Sequence, residues 1–451
     1  MPAGPAAESR AAPQDPLAIV RSRSYLLLLV MAAVLGVPIS AVAYGFLALV
    51  SELQSLVYND LPKGLGFSGT PNWWAVPVLA VSGVLVALTI RHLPGRGGHE
   101  PAEGLKTGGT PSAAAVPGVA LAAIASLSLG VVLGPEAPLI ALGGGLAVGA
   151  IRLVKRNAPP TAVAVVGAAG SFAAISELLG SPVLGAFLLM EASGLAGPML
   201  GVVLVPGLLA AGVGSLIFTG LDSWTGLGTY SLSLSQVPPA DRPTLAAFGW
   251  AVLAGLAAAI LGEAIRRSAL RVQPHVERRR LPLTVLMGVL VGVLALLYTT
   301  VTGKPLSGVL YSGESTMGPL LADHAAYSVG TLVLLVVLKS LAYSASLSAF
   351  RGGPVFPSLF VGGAGGLALS HFPGLDTTTG FAIGVGALGV AMLKLPMTCV
   401  LLATVLLGSQ GLTVMPLVIV AVVVSYVLTL RLARPATPPA TDQQPTGRTA
   451  P

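Results

Sequence analysis

The chain has 451 residues, 54% of them apolar and only 9% charged, with 57 glycines and 36 prolines and a mean hydropathy of +0.86. A soluble domain carries about 25% charged residues, so this composition excludes one, and its continuous apolar runs exclude both disorder and the alternating strands of a membrane barrel. The net charge of +7 gathers at helix ends, as membrane topology requires and nucleic-acid binding does not, and the single cysteine, Cys399, excludes an internal disulfide or a thiolate metal cluster.

At ~20 residues per spanning helix, the chain has room for about ten to thirteen crossings or re-entrant pieces. Residues 1–24 are polar and rich in Ala and Pro, and Arg21 and Arg23 precede the first apolar run, Tyr25–Val57. That run is too long for a signal-peptide core and predicts a retained first helix. Further apolar stretches cover 74–90, 116–133, 139–154, 160–175, 182–190, 197–219, 244–265, 281–300, 327–346, 355–370, 380–392, 396–408 and 412–430. Several are too short to span, which predicts broken and re-entrant helices. From Arg434 the chain is Pro/Thr-rich and predicts a disordered tail.

Basic residues cluster at Arg21/Arg23, Arg91/Arg96, Arg152/Lys155/Arg156, Arg266 to Arg280 and Arg431/Arg434. The positive-inside rule places these loops, and both termini, in the cytoplasm of a cell-membrane protein. Asp60, Asp222, Asp241, Glu314 and Asp323 then fall in outer loops.

Self-similarity is the most informative signal. Gly134-Pro135-Glu136-Ala137-Pro138 and Gly353-Pro354-Val355-Phe356-Pro357 open two segments of pattern G-P-x-x-P-x-Φ-x-Φ-G-G, 219 residues apart. Val166-Gly167-Ala168-x-Gly170 and Val385-Gly386-Ala387-x-Gly389 repeat at the same offset, and Pro182-Val183 pairs with Pro396-Met397 after a five-residue shortening. A duplicated fold explains both. Duplicated transporters place their site where the halves meet, on helices interrupted by Gly and Pro. Two such helix starts, facing each other, offer free N–H groups and positive dipole ends to an anion. No arginine is expected at membrane depth, because a fixed cation would hold an anion too tightly to let it pass. Glu136 opens the first broken helix in an apolar context, where an ionisable residue is a functional candidate. Its carboxylate can fill the anion pocket until protonated; the plainer reading is a cap on the helix dipole.

These residues resemble the CLC family of chloride channels and chloride/proton antiporters, over about residues 25–430. Gly134-Pro135-Glu136-Ala137-Pro138 looks like the family's G-[K/R]-E-G-P motif, with Glu136 at the gating glutamate and Pro135 in place of the basic residue. Gly352 to Gly362 looks like its G-G-I-F-A-P-S-L-F-x-G segment, with Val355 at the usual phenylalanine and Phe356 next. The G-S-G-I-P motif survives only as Gly97-Gly98-His99-Glu100-Pro101, so the selectivity serine maps onto Gly98 or onto His99. Glu191 matches the first acid of the antiporters' internal pair and Ala192 falls on the second, while no C-terminal tyrosine matches the inner gate. These two departures favour a channel or uncoupled transporter.

The resemblance implies an all-α polytopic membrane protein with an inverted-repeat CLC-type fold, halves at 25–219 and 244–431, a linker at 220–243, ends at 1–24 and 432–451, and a homodimer in lipid. It implies chloride or another monovalent anion as cargo, protons as a second partner, and neither cofactor nor metal. The anion site would comprise Gly98, His99, Pro101, Gly134, Glu136, Ala137, Gly353, Val355, Phe356 and Pro357, with Glu136 and Glu191 handling protons. Glu177 joins Glu191 as a candidate for an inner proton path, against the reading that both are hydrated helix ends. Glu263 beside Arg266 and Arg267 reads as an interfacial ion partner, Trp73-Trp74 as an interface belt, and Gly143-Gly144-Gly145 as close helix packing rather than a phosphate loop. An intramembrane enzyme would need a Ser–His pair, paired aspartates or a His-rich metal site within the bilayer, and the sequence presents none.

Overall fold

A computed structural model of the chain describes residues 21–105, 112–194, 198–232, 234 and 236–433. The expected disordered ends lie mostly outside these residues. Among the described residues the secondary structure is helical and no strand forms. The first half runs α1 (Arg23–Ser55), α2 (Ala75–His92), α3 (Val116–Leu127), α4 (Glu136–Val154), α5 (Pro160–Ala174), α6 (Pro182–Ser193) and α7 (Pro198–Thr225). The second runs α8 (Leu245–Arg278), α9 (Arg280–Thr302), α10 (Glu314–Ala322), α11 (Val329–Ala349), α12 (Val355–Leu369), α13 (Thr377–Leu393), α14 (Pro396–Leu406) and α15 (Gly411–Leu432). Eight helices among the described residues are long and apolar enough to cross a membrane, while α3, α5, α6, α12, α13 and α14 are shorter. The chain is a multi-pass membrane protein. α1 continues through a π-turn at Leu56–Asp60 to Gly64, and α7 runs past the expected start of the linker at 220.

Lipid offers no hydrophobic force between helices, so close packing must supply it, and glycine does so here. α4 lies on α5 where Gly143 meets Gly170, and α12 lies on α13 where Gly362 and Gly366 meet Gly384 and Gly380. A methyl group at any of these would overlap the opposing backbone or side chains. Gly143 thus packs tightly, as read from the sequence, and Gly362 does the same in the second half. The match in α5 and α13 is shifted, however: Gly170 has Gly384 as its packing counterpart, not Gly389. Across the halves, α2 and α9 form a second seam, where a Cβ on Gly83 would come within 2.7 Å of Val285 Cα and one on Gly292 within 2.7 Å of Val76 Cα. α1 packs on α7, and α8 on α15.

Between α3 and α4 the chain runs non-helically through buried Val131–Leu133, which the membrane tolerates only if each backbone group finds a partner inside the protein. Val131 N–H donates to Ser126 O at 3.2 Å and Leu133 N–H to Val131 O at 3.0 Å, and the carbonyls just before them are also taken up. Gln54 Nε2 donates to Leu127 O at 3.0 Å, the Tyr58 hydroxyl to Leu129 O at 2.9 Å, and Tyr311 N–H to Gly130 O at 3.2 Å. The two breaks also exchange serines: Val132 N–H donates to Ser346 Oγ and Arg351 N–H to Ser126 Oγ, each at 3.2 Å. That reciprocity follows from a duplicated chain whose repeats interlock at their broken helices.

Candidate functional site

Helices α4 and α12 begin with Pro135 and Pro354 at the N-cap, and no neighbouring side chain within either helix caps them. Their first N–H groups therefore face the gap between the helices. Gly134 N–H donates to Gly353 O at 2.8 Å and Gly353 N–H to Gly134 O at 2.6 Å, an antiparallel pair that locks the two breaks together. The Glu136 side chain lies across this pair. Its Oε1 accepts from Val355 N–H at the start of α12, Oε2 has no hydrogen-bond partner, and the residue is fully buried. A Cβ on Gly134 or Gly353 would overlap the carboxylate, so both positions must be glycine for it to lie there.

A cavity opens on each side of Glu136. One, of about 410 Å³, is lined by Gly98, His99, Pro101, Ala137, Pro138, Arg351, Gly352 and Pro354. The other, of about 390 Å³, is lined by Leu133, Pro135, Tyr230, Tyr311, Ser312 and Glu314. Glu136 lines neither and fills the wall between them, since its neighbours Pro135 and Ala137 face opposite cavities. Gly98, His99 and Pro101 thus share one cavity wall with Ala137, and Glu136 joins that motif to Gly353 and Val355. Phe356 and Pro357 are buried in the core and line neither cavity.

Glu191 lies elsewhere. Its Oε1 accepts from Met397 N–H at 3.0 Å, and its Oε2 from Thr398 N–H at 2.8 Å and the Thr398 hydroxyl at 2.6 Å. It caps α14 of the second half just as Glu136 caps α12, so both acids occupy helix starts that are not their own. Glu177, weighed with it for an inner proton path, precedes α6, whereas Glu191 lies in the last turn of that helix. Glu177 accepts from the Ser215 hydroxyl, and adjacent Leu178 O accepts from Leu232 N–H on the wall of the Glu314 cavity. α6 lies between them along the chain, and among the described residues they share no hydrogen-bond partner. Glu263 is buried under Arg266 and Arg267 at 2.9 and 2.7 Å, as the ion-partner reading required.

Two buried cations were missed. Arg351 is 4% exposed and lines the His99 cavity, which overturns the expected absence of arginine at this depth. It donates to Arg96 O at 3.3 Å and Phe350 O at 3.2 Å, and pairs with Glu100 at 3.4 Å. Burial pushes the Glu100 carboxyl up from its ordinary value, against the lowering field of Arg351. Lys339, fully buried midway along α11, donates to Gly308 O, Val309 O, Leu310 O and Tyr311 O at 3.0–3.2 Å, with its Nζ 4.4 Å from the Phe360 ring centre. As a lone ionisable residue in an apolar run, it carried the same signal that singled out Glu136. Among the described residues no group of His, Cys, Asp and Glu is placed to hold a metal ion.

A family model described as voltage gated chloride channel matches residues 78–430. Relatives named YfeO, for a role in ion transport, in Escherichia coli and Shigella boydii are 30% identical over 383 residues, covering 82% of this chain and 85% of theirs. The fold is similar to that of a slow cyanobacterial Cl−/H+ antiporter, with TM-score 0.70 and 20% identity over 90% of this chain and 94% of the other. A CLC-type fluoride/proton antiporter gives TM-score 0.68 at 18% identity over 90% and 95% of the two chains. A eukaryotic CLC transporter gives 0.68 at 16% identity over 92% and 73%.

Proposed function

The chain belongs to the voltage-gated chloride channel family, and from that premise we propose that it passes chloride or a similar monovalent anion between the His99 and Glu314 cavities, with Glu136 as the gate. The observation that carries this reading is the Glu136 carboxylate at Val355 N–H, a negative group held by backbone amides in the wall between two cavities. An anion needs the same donors, so carboxylate and anion compete for them. Protonation neutralises the competitor and frees the donors.

The His99 cavity faces the cytoplasm in this reading, because Arg91 and Arg96 lie beside it, and both termini are cytoplasmic. The protein acts as a homodimer in the cell membrane. Transport is channel-like or weakly coupled to protons. Glu191 is engaged as the cap of α14 and its neighbour is Ala192, so the cytoplasmic side lacks a free acid pair to feed protons to Glu136. Full coupling is the competing reading, drawn from the antiporters with which the fold is shared, and the unpartnered Glu136 Oε2 gives it a proton acceptor.

Reconstitution into liposomes separates the two. Chloride efflux is expected to proceed with a reversal potential that follows the chloride gradient and barely responds to an imposed proton gradient. A reversal potential tracking both gradients at a fixed ratio would establish the antiporter instead, and the absence of chloride, nitrate or fluoride flux would overturn the anion reading altogether.

A further inference from the structure

We propose that the lipid-facing side of the α2–α9 pair is a binding site for an anionic phospholipid, its headgroup phosphate held by Arg91, Arg278 and Arg279. None of these residues lines either cavity. Gly83 approaches Val285, Gly288 approaches Leu79 and Gly292 approaches Val76, so α2 and α9 run antiparallel and the end of α2 lies beside the start of α9. Both helices leave an apolar stripe uncovered. Val81, Leu85 and Leu88 on α2, and Leu286, Val293 and Leu297 on α9, recur at helical spacing and are 42–54% exposed, a surface that acyl chains fit. At one end both stripes stop at cations. α2 closes on exposed Arg91 and His92, and exposed Arg278 and Arg279 stand immediately before α9. α2 has 18 residues and α9 has 23, about the length that crosses the hydrocarbon core, so these adjoining ends lie at headgroup level.

The charge there is uncompensated. Among the described residues no acid pairs with Arg91, Arg278 or Arg279. The adjacent acid, Glu277, accepts from Gln273 Nε2 at 3.0 Å and, with Arg280, acts on Glu100 and Arg351. Topology alone asks for basic residues on one side of the membrane, but not for unpaired ones gathered where two apolar stripes end. Guanidinium groups hold phosphate oxygens through paired, charge-assisted hydrogen bonds, and basic pockets between spanning helices recognise anionic headgroups. A choline headgroup would set its own positive charge against the arginines, so phosphatidylglycerol is favoured over phosphatidylcholine. A second copy of the chain docked symmetrically on this face would bring the same arginines against each other.

Native mass spectrometry of the detergent-solubilised protein, titrated with phosphatidylglycerol or phosphatidylcholine, tests this. An arginine beside an anionic lipid contributes about fivefold in affinity, so Arg279→Gln is expected to weaken phosphatidylglycerol retention by about fivefold. Arg91→Gln, Arg278→Gln and Arg279→Gln combined are expected to bring it down to the phosphatidylcholine level. Arg152→Gln, Lys155→Gln and Arg156→Gln combined, at the end of α4, are expected to leave the preference intact. Equal retention of the two lipids by the wild type, or an equal loss in the α4 variant, would reduce the preference to unspecific attraction and overturn the proposal. Competition by inorganic phosphate as strong as by the lipid would place a free anion there and overturn it too. So would an intermolecular disulfide in Leu286→Cys, where the native Cys399 is buried, because a second copy would then cover the stripe. Should the combined variant fail to fold, the single variants Arg91→Gln, Arg278→Gln and Arg279→Gln decide the matter.

Discussion

Glu136→Gln is expected to make chloride flux independent of pH and, at about pH 7.5, to raise it by about tenfold or more, because an ionised competitor bound through charge-assisted hydrogen bonds is replaced by a neutral one. In the wild type, the Glu136 carboxylate takes up Val355 N–H and lies across the Gly134–Gly353 pair. Glutamine keeps the volume and loses the charge, so the helix start that attracted a carboxylate now attracts a free anion. The sign is fixed by the chemistry. Wild-type flux rises as pH falls, since protons remove the competing charge, and the variant stays high throughout. Flux in Glu136→Gln that retains the wild-type pH slope would take Glu136 out of the gate.

Lys339→Met is expected to lower folding stability by about 1–3 kcal/mol, the cost of leaving buried carbonyls without their donor. Four carbonyls of residues 308–311 converge on its ammonium, and all the donors they receive from it vanish together. Methionine matches the length of the stem but donates nothing, and neither lipid nor water reaches the site, where Lys339 is 0% exposed. The damage spreads to the Glu314 cavity, because Tyr311, the last of the tethered residues, and Ser312 line it. Thermal unfolding in detergent reads the effect as a fall in midpoint. An unchanged midpoint would mean that the turn holds its shape without the cation.

Much of this was legible in the chain itself. The pairing of Gly134 with Gly353 follows from a pattern repeated at one offset, and the burial of Glu136 follows from an acid embedded in apolar residues between Gly-Pro breaks. Helix starts marked by proline announce themselves because few other positions tolerate it. The pairwise roles of the remaining charges were not legible. Glu191 reads locally as the end of a helix, and only the fold brings α14 against it. Glu177 and Glu191 flank α6, and which acids a short helix brings together is not encoded in its apolar run. Arg351 stands beside Gly352 and Gly353, where a basic residue looks like the edge of a loop. The chain instead folds it inward against Arg96 O and Glu100, two contacts more than 250 residues away in sequence. Phe356 and Pro357 bury their side chains in the core, while the backbone of that turn faces the Glu136 carboxylate, as the reading of free N–H groups at the helix start had it.

The central claim is that a carboxylate and an anion exchange places at one backbone site between two cavities. Crystals of Glu136→Ala and of the wild type, grown in bromide at alkaline pH and read by anomalous scattering, test it most directly. The account predicts a bromide peak within hydrogen-bond reach of Val355 N–H in the variant and none there in the wild type, where the Glu136 carboxylate fills the position. Bromide at Val355 alongside an ionised, undisplaced Glu136, or no bromide near that amide in the variant, would contradict it.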